Sequence, residues 1–142
     1  MARPEITPEK MIINDQVLCP CHSGRLYTEC CQPYHKGKLA PTPEALMRAR
    51  YSAYALHNAD FIMQTTHPDS PHRKQDKRLW TAEILAFATQ TQFAALTILD
   101  TTADTVTFRA GLMQNLRDTS FTEKSTFKRV KGKWLYVMGQ YD

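Results

Sequence analysis

Four cysteines, Cys19, Cys21, Cys30 and Cys31, fall within thirteen residues of a 142-residue chain that has no others. Their spacing is Cys-Pro-Cys, eight intervening residues, then Cys-Cys. Zn²⁺ takes four soft or nitrogen ligands at tetrahedral angles, and two close pairs of thiolates can clasp one ion from opposite sides. Four protein ligands leave no position for a reacting water, so the expected site is structural, with one Zn²⁺ per chain. Between the pairs, Ser23 is a candidate helix N-cap and Gly24 eases a reversal. Histidines stand nearby, and His22 and His35 are alternative ligands to one of the sulfurs. A disulfide framework would spread its cysteines through the chain, and the Cys-x-x-Cys of a thioredoxin-like site is absent. Clustered thiolates therefore imply a reducing, cytoplasmic compartment.

Composition agrees with a soluble globular chain. Apolar residues make up 42% and charged residues 23%, with two Trp, six Tyr and six Phe to fill a core. No stretch approaches the roughly 18 apolar residues of a membrane span, and no apolar segment of signal-peptide type opens the chain. The formal charge of +4 falls to about +2 once four thiolates hold one Zn²⁺. So mild a basic excess is weak support for a nucleic-acid partner.

The elements that must position these residues read as helices first and strands afterwards. Residues 1–18 are an expected leader, residues 19–36 a knuckle, and residues 37–142 a domain, with 33–43 a connector between them. Thr42 as N-cap, Pro43 at N1 and Glu44 in the first turn start a helix running to about residue 57, with Leu46, Ala49, Ala53 and Leu56 on one face. Asn58 breaks it, and a short helix follows over 60–66, with Asp60 a candidate cap, ending before Pro68. A third helix is predicted over 74–88, with Trp80, Ile84 and Phe87 at core spacing. Alternation then predicts strands over 93–99, 105–112, 122–130 and 134–138, the last pair joined through Lys131–Gly132. This order points to an α+β domain with helices on one face of a curved antiparallel sheet.

The segment 19–31, CPCHSGRLYTECC, resembles the SEC-C zinc motif. The segments 40–54 (APTPEALMRARYSAY), 58–61 (NADF), 66–68 (THP), 121–123 (FTE), 125–127 (STF) and 132–136 (GKWLY) resemble the YchJ family of small bacterial proteins of unknown function. The resemblance implies an NTF2-like cone of three helices against a curved sheet. His22 stands where the motif usually has Gly, a position expected to need an unusual φ, and His tolerates the left-handed region better than most residues. Relatives resembling this chain often carry a second knuckle at the C-terminus. None precedes Asp142, so a function requiring two is not expected.

An NTF2-like cone implies a candidate pocket at its open end, and Arg50, Tyr51, Tyr54, Asp60, His67 and Glu123 are its candidate residues. Arg50 lies beside the apolar face, where a shielded guanidinium needs a partner, either a bound anion or an internal carboxylate from Asp60 or Glu123. Arg48 is expected to face solvent. Tyr51 and Tyr54 read as core aromatics with hydrogen-bonded hydroxyls. His67 reads as a residue bonding a free carbonyl at a helix end or as a base oriented by Asp60. The leading function is a non-enzymatic binding or adaptor protein, its knuckle docking a protein or nucleic-acid surface through Arg25, Tyr27 and Lys36. The alternative is a small-molecule enzyme or ligand-binding protein using the pocket. Either is compatible with a monomer or a homodimer.

Overall fold

Helix starts in this chain are set by side chains that satisfy the first free N–H groups. A computed structural model describes residues 16–141; the expected leader lies outside the described residues for positions 1–15. A 3-10 turn, Tyr27–Glu29, leads into a short helix α1, Gln32–His35, so the expected connector begins with a helical turn. Thr42 accepts from the Ala45 N–H and starts α2, Pro43–Ala55, with Pro43 in its first turn. Leu56 caps that helix and His57 turns left-handed at φ 60°. Asn58, not Asp60, is the cap of α3, Ala59–Gln64, accepting from the Phe61 N–H at 3.1 Å. Asp60 sits exposed in the first turn, where its charge meets the positive end of the helix.

Helix α4, Lys77–Thr89, begins three residues later than expected because the Asp76 carboxylate accepts from the N–H groups of Arg78 and Leu79. Lys74 lies outside it and pairs with Glu83 at 3.2 Å. Trp80, Ile84 and Ala88 turn inward from α4.

The strands are β1, Gln92–Thr101; β2, Thr105–Gln114; β3, Arg117–Asp118; β4, Phe121–Val130; and β5, Lys133–Tyr141. All neighbouring pairs are antiparallel, in the order β1-β2-β4-β5, with β3 a two-residue extension of β2. Lys131 and Gly132, at φ 53° and 79°, make the tight turn between β4 and β5. Alternate residues of β2, Val106, Phe108, Ala110 and Leu112, are buried, and with Leu96 and Phe127 they carry one sheet face into the same core as Leu46, Ala49 and Ala53. Each large side chain so buried contributes about 1.5–3 kcal/mol. Cys19, Cys21, Tyr27 and Cys31 belong to that core as well.

Two features position polar groups inside it. The exit of α3 is tied to β5 by a parallel bridge, in which the Tyr136 N–H donates to Thr65 O and the His67 N–H to Tyr136 O, each at 2.8 Å. Further along, Glu123 is buried on the inward face of β4 with Ser125 and Phe127. Its carboxyl occupies the space above Gly139 of β5, where a methyl group would come within 2.6 Å of Glu123 Cγ. Gly139→Ala must therefore displace that carboxyl, and a loss of about 1–3 kcal/mol in urea denaturation is expected. An unchanged midpoint with Glu123 still in place contradicts this packing.

Candidate metal centre and cavity

The cysteines meet because the backbone between them reverses twice. Leu18 and Leu26 form an antiparallel bridge, the Cys19 N–H donates to Arg25 O at 2.8 Å, and His22 and Gly24 adopt φ 62° and 86°. His22 thus takes the left-handed conformation expected at this position. Ser23 is not a helix N-cap; its Oγ accepts from the Arg25 N–H and lies 3.2 Å from Cys30 Sγ. Leu26 precedes the 3-10 turn, which delivers Cys30 and Cys31.

All four sulfurs lie within 4.8 Å of one another. Cys21 and Cys30 are 3.6 Å apart, and Cys30 and Cys31 3.9 Å. A tetrahedral ZnS₄ unit with Zn–S of about 2.3 Å separates its sulfurs by about 3.8 Å. The donor set thus fits one thiophilic ion, and none of the four is in a disulfide. Without a cation the four sulfurs do not ionise together. Thiol donors from Cys19 and Cys31 hold the Cys21 pKa far below the ordinary thiol range. Donating that hydrogen bond raises Cys19 to about 12, and the bonds to Cys19 and Cys21 push Cys31 up as well. Four ionised sulfurs so close require a cation.

The two histidines are engaged elsewhere. His22 donates from Nε2 to Phe93 O at 2.9 Å and stands edge-on to Tyr51. His35 donates from Nε2 to Ala49 O at 2.7 Å and accepts at Nδ1 from the Tyr27 hydroxyl at 2.6 Å. That pair of bonds fixes the neutral tautomer, and burial lowers the His35 pKa in the same sense. Tyr27 is only 4% exposed, so it is withdrawn from the docking surface expected of it, while Arg25 and Lys36 stay exposed. Arg48 also departs from expectation. It is half-buried, donating from Nη1 to Cys21 O and from Nε to Glu44, each at 3.2 Å, and so clamps the knuckle to α2.

A cavity of about 520 Å³ opens between α2, α4 and the inward face of the sheet. Of the candidate pocket residues, Arg50, Tyr51, Tyr54 and Glu123 line it, whereas Asp60 and His67 do not. The His67 ring accepts from the Asp69 N–H at 3.0 Å, a turn contact, and bonds no carbonyl among the described residues. Tyr51 donates its hydroxyl to Ala95 O at 3.0 Å.

Arg50 is deep in the fold, yet part of its surface stays open to the cavity. No carboxylate lies within ion-pair distance of it among the described residues, which corrects the expected pairing with Asp60 or Glu123. Its Nη1 donates instead to Ile62 O at 3.0 Å, Thr65 Oγ1 at 2.8 Å and Thr66 Oγ1 at 3.2 Å. The guanidinium carbon stands 4.6 Å above the Tyr136 ring. Its Nε and Nη2 have no hydrogen-bond partner among the described residues. Burial lowers the Arg50 pKa, opposed by Tyr54, Tyr136 and Glu123. Glu123 accepts from the Ser125 hydroxyl and, at 3.4 Å, from that of Tyr136. Thr66, Ser125 and Tyr136 were not among the sequence candidates. Ser125 was within reach of the strand period, two residues from Glu123 on one face; Tyr136 needed the bridge from α3 to be seen.

No helix among the described residues is long and apolar enough to cross a membrane. Residues 42–139 match the family model described as the YchJ middle, NTF2-like domain, and residues 17–33 the SEC-C motif. A UPF0225 protein of Deinococcus radiodurans is 40% identical over 126 residues, covering 84% of this chain and 85% of that protein. The UPF0225 protein YchJ of Shigella dysenteriae is 35% identical, covering 86% and 82%. The solution structure of a SEC-C motif containing protein from Rhodopseudomonas palustris superposes with a TM-score of 0.71 at 32% identity, covering 86% of this chain and 96% of that one. A crystal structure of a SEC-C motif containing protein from Psychrobacter arcticus superposes at 0.68 with 24% identity, over 93% and 85%, which speaks for the fold alone. With both segments matched in order along one antiparallel α+β fold, this chain belongs to the YchJ (UPF0225) family, with a SEC-C motif ahead of its NTF2-like domain.

Proposed function

We propose that this protein binds a small molecule in the cavity beneath α2, and that Zn²⁺ held by Cys19, Cys21, Cys30 and Cys31 is structural and braces that helix. The observation that carries the first part is Arg50. A guanidinium has five N–H donors, and those that protein atoms do not meet are left to whatever occupies the space beside them. Only Nη1 is satisfied by protein, while Nε and Nη2 belong to a side chain lining an open cavity of about 520 Å³. That volume is within the usual range of about 300–1,000 Å³ for small-molecule sites, and its walls combine aromatics with a few placed polar groups, as such sites do. The knuckle is closed, with four sulfurs and no fifth donor grouped with them among the described residues, which suits bracing more than catalysis. Against the adaptor reading, its one docking aromatic, Tyr27, is spent on His35.

The metal half is tested by elemental analysis of freshly purified protein, which should find one zinc per chain. Cys30→Ser should lose it, and retention should fall as acid competes for sulfur. No zinc at any stage, with four freely titrating thiols, rejects the site.

The cavity half is tested by titrating aromatic fragments into uniformly ¹⁵N-labelled protein. Trp80 lines the cavity and Trp134 does not, so binding should shift the Trp80 indole N–H resonance and leave that of Trp134 in place. If no fragment moves Trp80 selectively, the cavity is not a binding site.

A further inference from the structure

Resting on that reading of the cavity, we infer that its ligand is a net-neutral aromatic compound presenting a hydrogen-bond acceptor beside a donor, as a carboxamide or ring lactam does. The argument begins with charge. The charged residues that line the cavity are Arg50 and Lys74 on one side of the balance and Glu123 and Glu83 on the other, with His72 at the rim. Lys74 and Glu83 already neutralise each other at 3.2 Å. Arg50 and Glu123 do not touch, so each retains a demand of its own.

Those demands are opposite and adjacent. Arg50 offers the N–H groups of Nε and Nη2 and needs an acceptor. Glu123 carries about four lone-pair sites as a carboxylate. The Ser125 and Tyr136 hydroxyls both donate to its Oε2, which leaves room for a further donor. One residue spans the two: the Tyr136 ring lies under the guanidinium at 4.6 Å, and its hydroxyl is 3.4 Å from Glu123 Oε2. A group laid along that ring, with its carbonyl toward Arg50 and its N–H toward Glu123, meets both. A carboxylate would satisfy Arg50 and repel Glu123; an ammonium would do the reverse.

The rest of the cavity fixes the body of the ligand. Phe87 stands edge-on to Tyr54 at 5.5 Å and to Phe93 at 6.0 Å, and Trp80 closes the same side. Such walls favour a flat apolar ring.

The test uses the full-length, zinc-loaded protein and three probes of one shape: 2-naphthamide, 2-naphthoate and naphthalene, each titrated by calorimetry and by the Trp80 resonance. The amide should bind about ten-fold or more tighter than either of the others, the worth of one or two charge-assisted hydrogen bonds. Glu123→Gln, whose amide can still accept from the hydroxyls around it, leaves the cavity net positive and should shift preference toward 2-naphthoate. Wild-type preference for the naphthoate, or equal affinity for the amide and naphthalene, overturns the ligand class while leaving a binding cavity. Failure of all three to bind overturns the class and the cavity reading together. The wild-type order decides the matter even if the variant does not fold.

Discussion

One turn of α2 holds this molecule together. Successive residues of a helix point about 100° apart, so four in a row face four directions. Here each of the four reaches a different element: Arg48 bonds Cys21 O in the knuckle, Ala49 O accepts from His35 of α1, Arg50 grips the exit of α3, and Tyr51 donates to Ala95 on β1. The turn is therefore a junction, and its position fixes where the knuckle sits and where the guanidinium of Arg50 lies.

That arrangement makes a small cysteine loop relevant to a cavity it does not line. The loop has little apolar surface of its own, and four close thiolates repel unless a cation joins them. Cys19, Cys21 and Cys31 pack into the main core, and Tyr27 and His35 carry the contact on to α2. The burial of Arg50 then has its compensation nearby. Three oxygen acceptors and the face of Tyr136 offset part of the desolvation, the latter by about 0.5–2 kcal/mol. Glu123 adds attraction from a distance, and the remainder falls to whatever fills the cavity.

Much of this was legible in the sequence because it depends on local rules. The cysteine spacing, the Thr42–Pro43–Glu44 start and the period-2 strands each depend on neighbours a few residues away. The junction was not legible, because it depends on which faces meet in three dimensions. Arg48 reads as solvent-facing from the pattern of α2 alone, and only the return of the knuckle over that face makes it a clamp. For Arg50 the sequence suggests a bound anion or an internal carboxylate, since charge pairing is the usual remedy for burial. The chain uses Thr65, Thr66 and a backbone carbonyl instead, which a one-dimensional reading has no means to place. The helix starts near Asn58 and Asp76 are set more simply, by the side chain that accepts from an N–H two or three residues ahead: Asn58 from Phe61, Asp76 from Arg78 and Leu79.

Amide hydrogen exchange on the zinc-loaded and the chelated protein tests the junction most directly. If α2 is held through the knuckle, stripping the metal should speed exchange in the cysteine loop and in the turn of α2 around residues 48–52 together, while β2 and β4 keep their protection. Acceleration confined to the cysteine loop, with α2 unchanged, would contradict the account.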